Sequence, residues 1–285
     1  MTFKAACVQL RSTRSIDDNI ETASTLITKA AQDGAAYVQT PEMTHLVETG
    51  SQNVKAKIAL EQADRGVAAF SDLARSLRIW LHIGSLAIDR GDGKVANRAF
   101  LFAPDGGLAG TYDKIHMFDV DLDHGESWRE SNTYEPGVTS PVFETDMANI
   151  GMAICYDLRF PALFRRQAHA GAHVLTAPAC FTKQTGRAHW HTLLRARAIE
   201  NHAFVVAAAQ GGRHEDGRET FGHSLIVDPW GAILAEADGD DPCVIMAEID
   251  LAALDTARTR IPVLTHEREF DTAFGQLTRN KTVTL

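Results

Sequence analysis

The chain of 285 residues is 45% hydrophobic and 23% charged, a globular balance that excludes a disordered chain, a collagen and a simple coiled coil. At roughly 100 to 200 residues per domain, this length holds one large domain or two. Lys+Arg 28 against Asp+Glu 37 gives a net charge of −9, and with no basic stripe to neutralise phosphates the composition argues against a nucleic-acid partner.

The longest purely apolar run, Ala203 to Ala209, falls far short of the roughly 18 residues of a membrane span, and the opening MTFKAACVQL lacks a signal-like apolar stretch. No membrane partner and a cytoplasmic location are expected. Cysteines 7, 155, 180 and 243 form no CxxC pair and read as free thiols.

Lys4 to Leu10 reads as a strand, and Ile16, Ile20, Ala23, Ile27 and Ala30 then mark one helical face. Ala36 to Thr40 returns to strand, and Gly66 to Leu77 is predicted helical. Strands Trp80 to Ile88 and Asn97 to Ala103 follow, before Pro104-Asp105-Gly106-Gly107 turns into another short strand. The second half repeats this order: strand Asn149 to Cys155, helix Leu158 to Ala170, strand Ala172 to Ala177, helix Ala188 to His202, then strands at Ala203, Phe221 and Ala232. Lys114 to Pro141 connects the halves.

A sheet covered by helices on one face must bury its other face against something apolar, and the opposite half supplies it. The expected fold class is therefore α/β: a four-layer α-β-β-α sandwich of two pseudo-symmetric halves in a single domain over residues 1–285. Glu42 to Arg65, Ile115 to Pro141 and Cys180 to Arg187 read as loops, where binding and catalytic groups concentrate.

Cys155, in Ile154-Cys155-Tyr156-Asp157-Leu158, stands where a strand ends and a helix begins, and a helix N-terminus favours thiolate. Cys7 and Cys243 fall inside predicted strands, which leaves Cys180 as the rival nucleophile. A nucleophilic thiol needs a proton acceptor and a donor for the developing oxyanion. Glu42 follows strand Ala36 to Thr40, the position in half one that Cys155 is expected to hold in half two, and Lys114 ends another strand. Taken alone, each also reads as an ordinary surface residue. His189-Trp190-His191 places its imidazoles on different helix faces and no HExxH is present, so no metal is expected. Gly91 to Ala96 fits a GxGxxA dinucleotide pattern, but a strand follows it, and it reads as a hairpin turn.

Together, Pro41-Glu42-Met43, Tyr112-Asp113-Lys114-Ile115-His116-Met117-Phe118-Asp119 and Cys155-Tyr156-Asp157-Leu158-Arg159-Phe160-Pro161 resemble the three signature blocks of the nitrilase superfamily of carbon-nitrogen hydrolases. Glu130-Ser131-Asn132, Ala188-His189-Trp190, Leu194-Arg195-Ala196-Arg197-Ala198-Ile199-Glu200 and Gly222-His223-Ser224 extend the resemblance over roughly residues 3 to 270, and Arg195 to Glu200, Val205 to Gln210 and Gly212 to Glu215 are most similar to the Nit branch.

The resemblance implies a nitrilase-type sandwich, no cofactor, a homodimer or larger homo-oligomer, and a C-terminal tail from about residue 265 in oligomer contacts. It implies Cys155 as nucleophile forming a thioester with loss of ammonia, Glu42 as base, Lys114 and the Tyr156 N–H at the oxyanion, and Glu130 as a second glutamate, with Glu126 its local competitor. A base of this kind is expected to have its pKa moved toward neutrality. Arg159 would bind a substrate carboxylate, and Phe181 and Thr185 would form the pocket wall. The implied substrate is a small 2-oxo amide with a carboxylate: deaminated glutathione first, then 2-oxoglutaramate, an N-carbamoyl amino acid or a nitrile. A binding protein with a vestigial set is the competing reading. The chain departs from the family pattern at Arg187, His191 and Cys180, where proline, glutamate and a small residue are common.

Overall fold

The computed structural model describes residues 1–272. In its first strand, Thr2–Gln9, Ala5 and Cys7 enter one apolar core while Ala6 and Val8 enter another. Successive strand side chains point to opposite faces, so a strand buried on both sides belongs to a sheet covered on both sides. Tyr37 and Val38 divide the same way, as do Leu101 and Phe102. Helices Ile16–Gln32 and Arg65–Leu77 fill one core through Ala23, Ile27, Phe70 and Ala74. The other core runs from Cys7 and Leu101 through Ile150, Val174 and Val205 of a second sheet to Trp190 and Leu194 of helix Lys183–Asn201.

The first sheet has the strand order Cys243–Asp250, Thr2–Gln9, Tyr37–Gln39, Trp80–Asp89, Val95–Phe102, Leu108–Asp113. The second runs Ile233–Glu236, Leu225–Val227, Phe204–Ala207, Val174–Thr176, Asn149–Gly151, Val142–Glu144. Each holds three parallel strands, continues in two antiparallel ones, and carries an antiparallel edge strand beside its first. This is the expected pair of pseudo-symmetric halves in an α-β-β-α sandwich.

The topology corrects one equivalence. Glu42 follows the second parallel strand of its sheet, so its counterpart is the Pro178 to Cys180 segment, whereas Cys155 follows a first strand and corresponds to the region after Gln9. The two chemical groups therefore come from different positions of the repeat and meet because the sheets face each other.

Two helix starts also differ from expectation. The helix expected from Leu158 is Pro161–His169, preceded by a 3-10 turn over Cys155–Arg159. Phe160 precedes a proline and is held out of the α region at φ −110, ψ 89. The helix expected from Ala188 begins at Lys183, because Gly186, which looks like a breaker, is where the helix presses on Phe221; a Cβ there would overlap the ring.

The expected loops also carry structure: a short helix Ser51–Lys55 and a 3-10 turn Glu61–Ala63 in the first, and a hairpin of Asp119–Asp121 with Ser127–Arg129 in the second. Gly91 to Lys94 is indeed a hairpin turn, with Gly91 and Gly93 at φ 77 and 84. The C-terminal tail from 273 lies outside the described residues.

Gly84 is wedged between the end of the neighbouring strand and Pro178 of the second half. A Cβ at this position would overlap the Thr40 and Pro41 carbonyl oxygens and the Pro178 side chain. Because two of those neighbours are backbone, Gly84→Ala is expected to cost about 3 kcal/mol through overpacking. Denaturant midpoints check this, and a loss below about 1 kcal/mol would show that the sheets part easily.

Candidate active site

Both strand-end loops that carry the chemistry contain a strained residue. Met43 has φ 57 and Cys155 φ 47, left-handed values that cost a non-glycine side chain free energy and persist only where surroundings impose them. At Cys155 the restraint is a hydrogen bond from its N–H to Pro178 O, 2.9 Å, together with the fully buried Asp157 carboxylate. Asp157 accepts from Ile154 N–H at 2.9 Å, Tyr112 Oη at 2.6 Å and His116 N–H at 3.0 Å, and lies 2.6 Å from His116 Nδ1. Asp157 thus clamps the cysteine turn to the segment that carries Lys114.

Lys114 donates from Nζ to Glu42 Oε1 at 2.8 Å and to Glu130 Oε1 and Oε2 at 3.0 and 2.9 Å. Asn97 donates from Nδ2 to both carboxylates, 2.9 Å to Glu42 and 3.0 Å to Glu130. The other Glu42 oxygen accepts the Cys180 backbone N–H at 2.8 Å, and Phe118 N–H reaches Glu130 Oε2 at 2.7 Å. The Cys155 thiol completes the cluster, lining the same cavity as Glu42, Lys114 and Glu130. Glu126 instead accepts from Trp128 Nε1.

The electrostatics reverse two expectations. Burial alone would raise Glu42, but the Lys114 ammonium and the hydrogen bonds from Lys114 and Asn97 outweigh it and hold the carboxyl below its ordinary range, not near neutrality. Burial, followed by the Glu42 charge, pushes the Cys155 thiol well up despite Lys114, so the resting group is a thiol and not the thiolate a helix N-terminus favours. Burial also works against the charge of Lys114, but Glu130 and Glu42 overcome it and hold the ammonium well above its ordinary value. The resting cluster is thiol, carboxylate and ammonium, a set suited to acyl transfer by general-base attack.

These groups open into a cavity of about 170 Å³, also lined by Tyr156, Phe181, Thr185, Trp128 and Arg218. Tyr156 lies in the first turn of the 3-10 segment Cys155–Arg159, where backbone N–H groups are left without intrahelical partners. Phe181 packs on Trp190 with ring centroids 5.2 Å apart, and Thr185 Oγ1 lies 2.8 Å from Thr182 Oγ1. Arg159 does not itself line the cavity, and its Cζ lies 5.8 Å from the Tyr156 ring centroid and 5.1 Å from that of Phe181.

His189 turns to Arg159 Nη1 at 3.2 Å, while His191 meets Glu236 at 2.8 Å beside His223, so the two imidazoles of that motif do not converge. Arg187 is exposed. Asn97, Asp157 and Arg218 had no assigned role in the sequence analysis. Asn97 lies mid-strand and Arg218 follows a hairpin turn, and neither position alone signals an active site.

The family model described as carbon-nitrogen hydrolase matches residues 4–259. A deaminated glutathione amidase from Yersinia enterocolitica is 38% identical over 282 residues, covering 97% of this chain and 96% of the relative. One from Mus musculus is also 38% identical, covering 92% and 82%. Among solved structures, the C. elegans NitFhit protein superposes with TM-score 0.86 at 35% identity, covering 94% of this chain and 65% of that longer one. Saccharomyces cerevisiae Nit3, a member of branch 10 of the nitrilase superfamily, gives TM-score 0.83 at 30% identity, covering 92% and 95%. The chain belongs to the carbon-nitrogen hydrolase family, within the nitrilase superfamily, and is an enzyme that hydrolyses amides.

Proposed function

We propose that the enzyme cleaves a small 2-oxo amide carrying a carboxylate, with deaminated glutathione as the leading substrate, through a thioester on Cys155. The observation that carries this reading is the buried Cys155 thiol sharing one cavity with a buried Glu42 carboxylate that Lys114 fixes at 2.8 Å. The names of the Yersinia and mouse relatives support the substrate class.

Glu42 takes the thiol proton as Sγ attacks the amide carbon, and the negative charge that develops on oxygen is held by Lys114 Nζ and the Tyr156 N–H. The tetrahedral intermediate collapses when Glu42 returns the proton to the leaving nitrogen. That nitrogen departs as ammonia from a primary amide, or as cysteinylglycine from deaminated glutathione. Glu42 then deprotonates water, which attacks the thioester and frees the acid. Glu130 is a positioning residue that holds Lys114. Tyr156, Phe181 and Thr185 form the substrate wall, and Arg159 packs against the first two rings.

The cavity-facing set is complete, which favours an enzyme over a vestigial binding protein. Self-association is supported by Ile199 and Trp230, exposed on adjoining segments. A cytoplasmic setting is supported by four free cysteines. No helix among the described residues is long and apolar enough to cross a membrane.

The test measures kcat/KM for deaminated glutathione, 2-oxoglutaramate, glutamine, an N-carbamoyl amino acid and a nitrile, following release of acid and amine. Deaminated glutathione is expected to rank first. First rank for 2-oxoglutaramate would move the assignment to that amide, and first rank for a substrate without a 2-oxo group would sink it.

A further inference from the structure

Two arginines line the cavity, and their hydrogen-bond donors are unequally spent. Arg129 gives Nη1 to the Val120 and Trp128 carbonyls at 2.9 and 2.7 Å, and Nη2 to both Asp121 oxygens at 2.8 Å. Its fork is fully engaged. Arg218 gives Nε to Asp216 Oδ2 at 2.8 Å, but Nη1 contacts only Cys180 Sγ at 3.8 Å and Nη2 only the Glu48 carbonyl at 3.3 Å. One of these ends on sulfur and the other is long, so the planar fork that suits a carboxylate bidentately is held in place but weakly occupied.

The surroundings preorganise this fork. Its side chain is only 18% exposed, its Cζ lies 4.8 Å from the Trp128 ring centroid, and the fully buried Asp216 carboxylate balances its charge from the Nε side. Glu48, whose backbone carbonyl meets Arg218, turns its carboxylate elsewhere, accepting from Arg14 Nε at 2.8 Å and Lys57 Nζ at 2.7 Å. Cys180, which Arg218 touches through sulfur, donates its backbone N–H to Glu42. The fork is therefore one residue removed from the carboxylate beside the nucleophile.

We infer that Arg218 is the anchor for the substrate's carboxylate, selecting anionic amides by bidentate hydrogen bonding across the cavity from Cys155. This deepens the proposed function and rests on it. It also moves the anchoring role from Arg159, which does not line the cavity and is engaged with the Tyr156 and Phe181 rings and with His189.

The experiment compares Arg218→Gln and Arg218→Lys with wild type on deaminated glutathione and 2-oxoglutaramate, each beside its carboxylate methyl ester. Loss of a charge-assisted bond predicts that Arg218→Gln lowers kcat/KM for the free acids about 10- to 100-fold more than for the esters, chiefly through KM. Arg218→Lys, which keeps a partner for Asp216, recovers part of this difference. Equal losses on acids and esters would overturn the anchor and leave Arg218 a strut of its hairpin.

Calorimetry with 2-oxoglutarate on Cys155→Ala separates this inference from the amide reading. Binding that weakens when Arg218→Gln is added supports the anchor even if no 2-oxo amide is turned over. Binding indifferent to Arg218 overturns the anchor even if those amides are good substrates.

Discussion

Cys155→Ala is expected to abolish amide hydrolysis, with kcat/KM falling about 10⁴-fold or more, because no other group in the cavity is placed to form the acyl intermediate. Cys180 is the test of that statement. Its thiol also lines the cavity, but its sulfur faces Arg218, and Glu42 is met by its backbone N–H and not by its thiol. Acid-quenched wild type and Cys180→Ala should both show the mass of a substrate acyl group, and Cys155→Ala should show none. Residual activity above about 1% in Cys155→Ala, outside the range expected for a lost nucleophile, would place the attacking group elsewhere.

The two cysteines also show how far local pattern reaches. Cys155, Glu42 and Lys114 each end a strand inside a chemically loaded block, and the strand ends are visible because apolar alternation stops there. The four-layer architecture is equally local in origin, since strands with two apolar faces beside amphipathic helices admit few other packings. What sequence conceals is set by contacts between distant segments. Asn97 occupies an unremarkable mid-strand position, and its role exists only because Glu42 and Glu130 arrive at either side of its amide. Asp157 sits inside a recognisable block, yet its work is done on Tyr112 of the other half and His116 of the connecting segment.

Protonation behaviour is the part least open to sequence reasoning, because it is a balance of burial against charges supplied by other segments. A buried glutamate suggests a raised pKa, and a thiol at a helix start suggests a lowered one. Here Lys114 tips the first balance the other way, and Glu42 adds to the burial that tips the second. This places the thiol proton, at rest, on the group that must lose it and leaves the carboxylate free to accept it. The protein consequently needs no preformed thiolate.

That arrangement fixes the second large effect. Glu42→Gln keeps an oxygen for Lys114 and Asn97 but removes the base, and kcat is expected to fall about 10³-fold with little change in KM. In the wild type, falling pH protonates Glu42 only below the ordinary carboxylate range, and rising pH ionises Cys155 only well above the ordinary thiol range. The working pair of thiol and carboxylate therefore persists between, and kcat/KM should be flat from about pH 5 to 9. A tenfold rise per unit between about pH 7 and 9 would show instead that attack awaits titration of the thiol. The variant adds a second readout. Removing the Glu42 charge takes away one cause of the raised thiol while Lys114 remains, so alkylation of Cys155 by iodoacetamide should set in at lower pH than in wild type even though turnover is lost. A thiol that titrates no earlier in Glu42→Gln would mean that Glu42 does not act on Cys155, and the general-base role would fall with it.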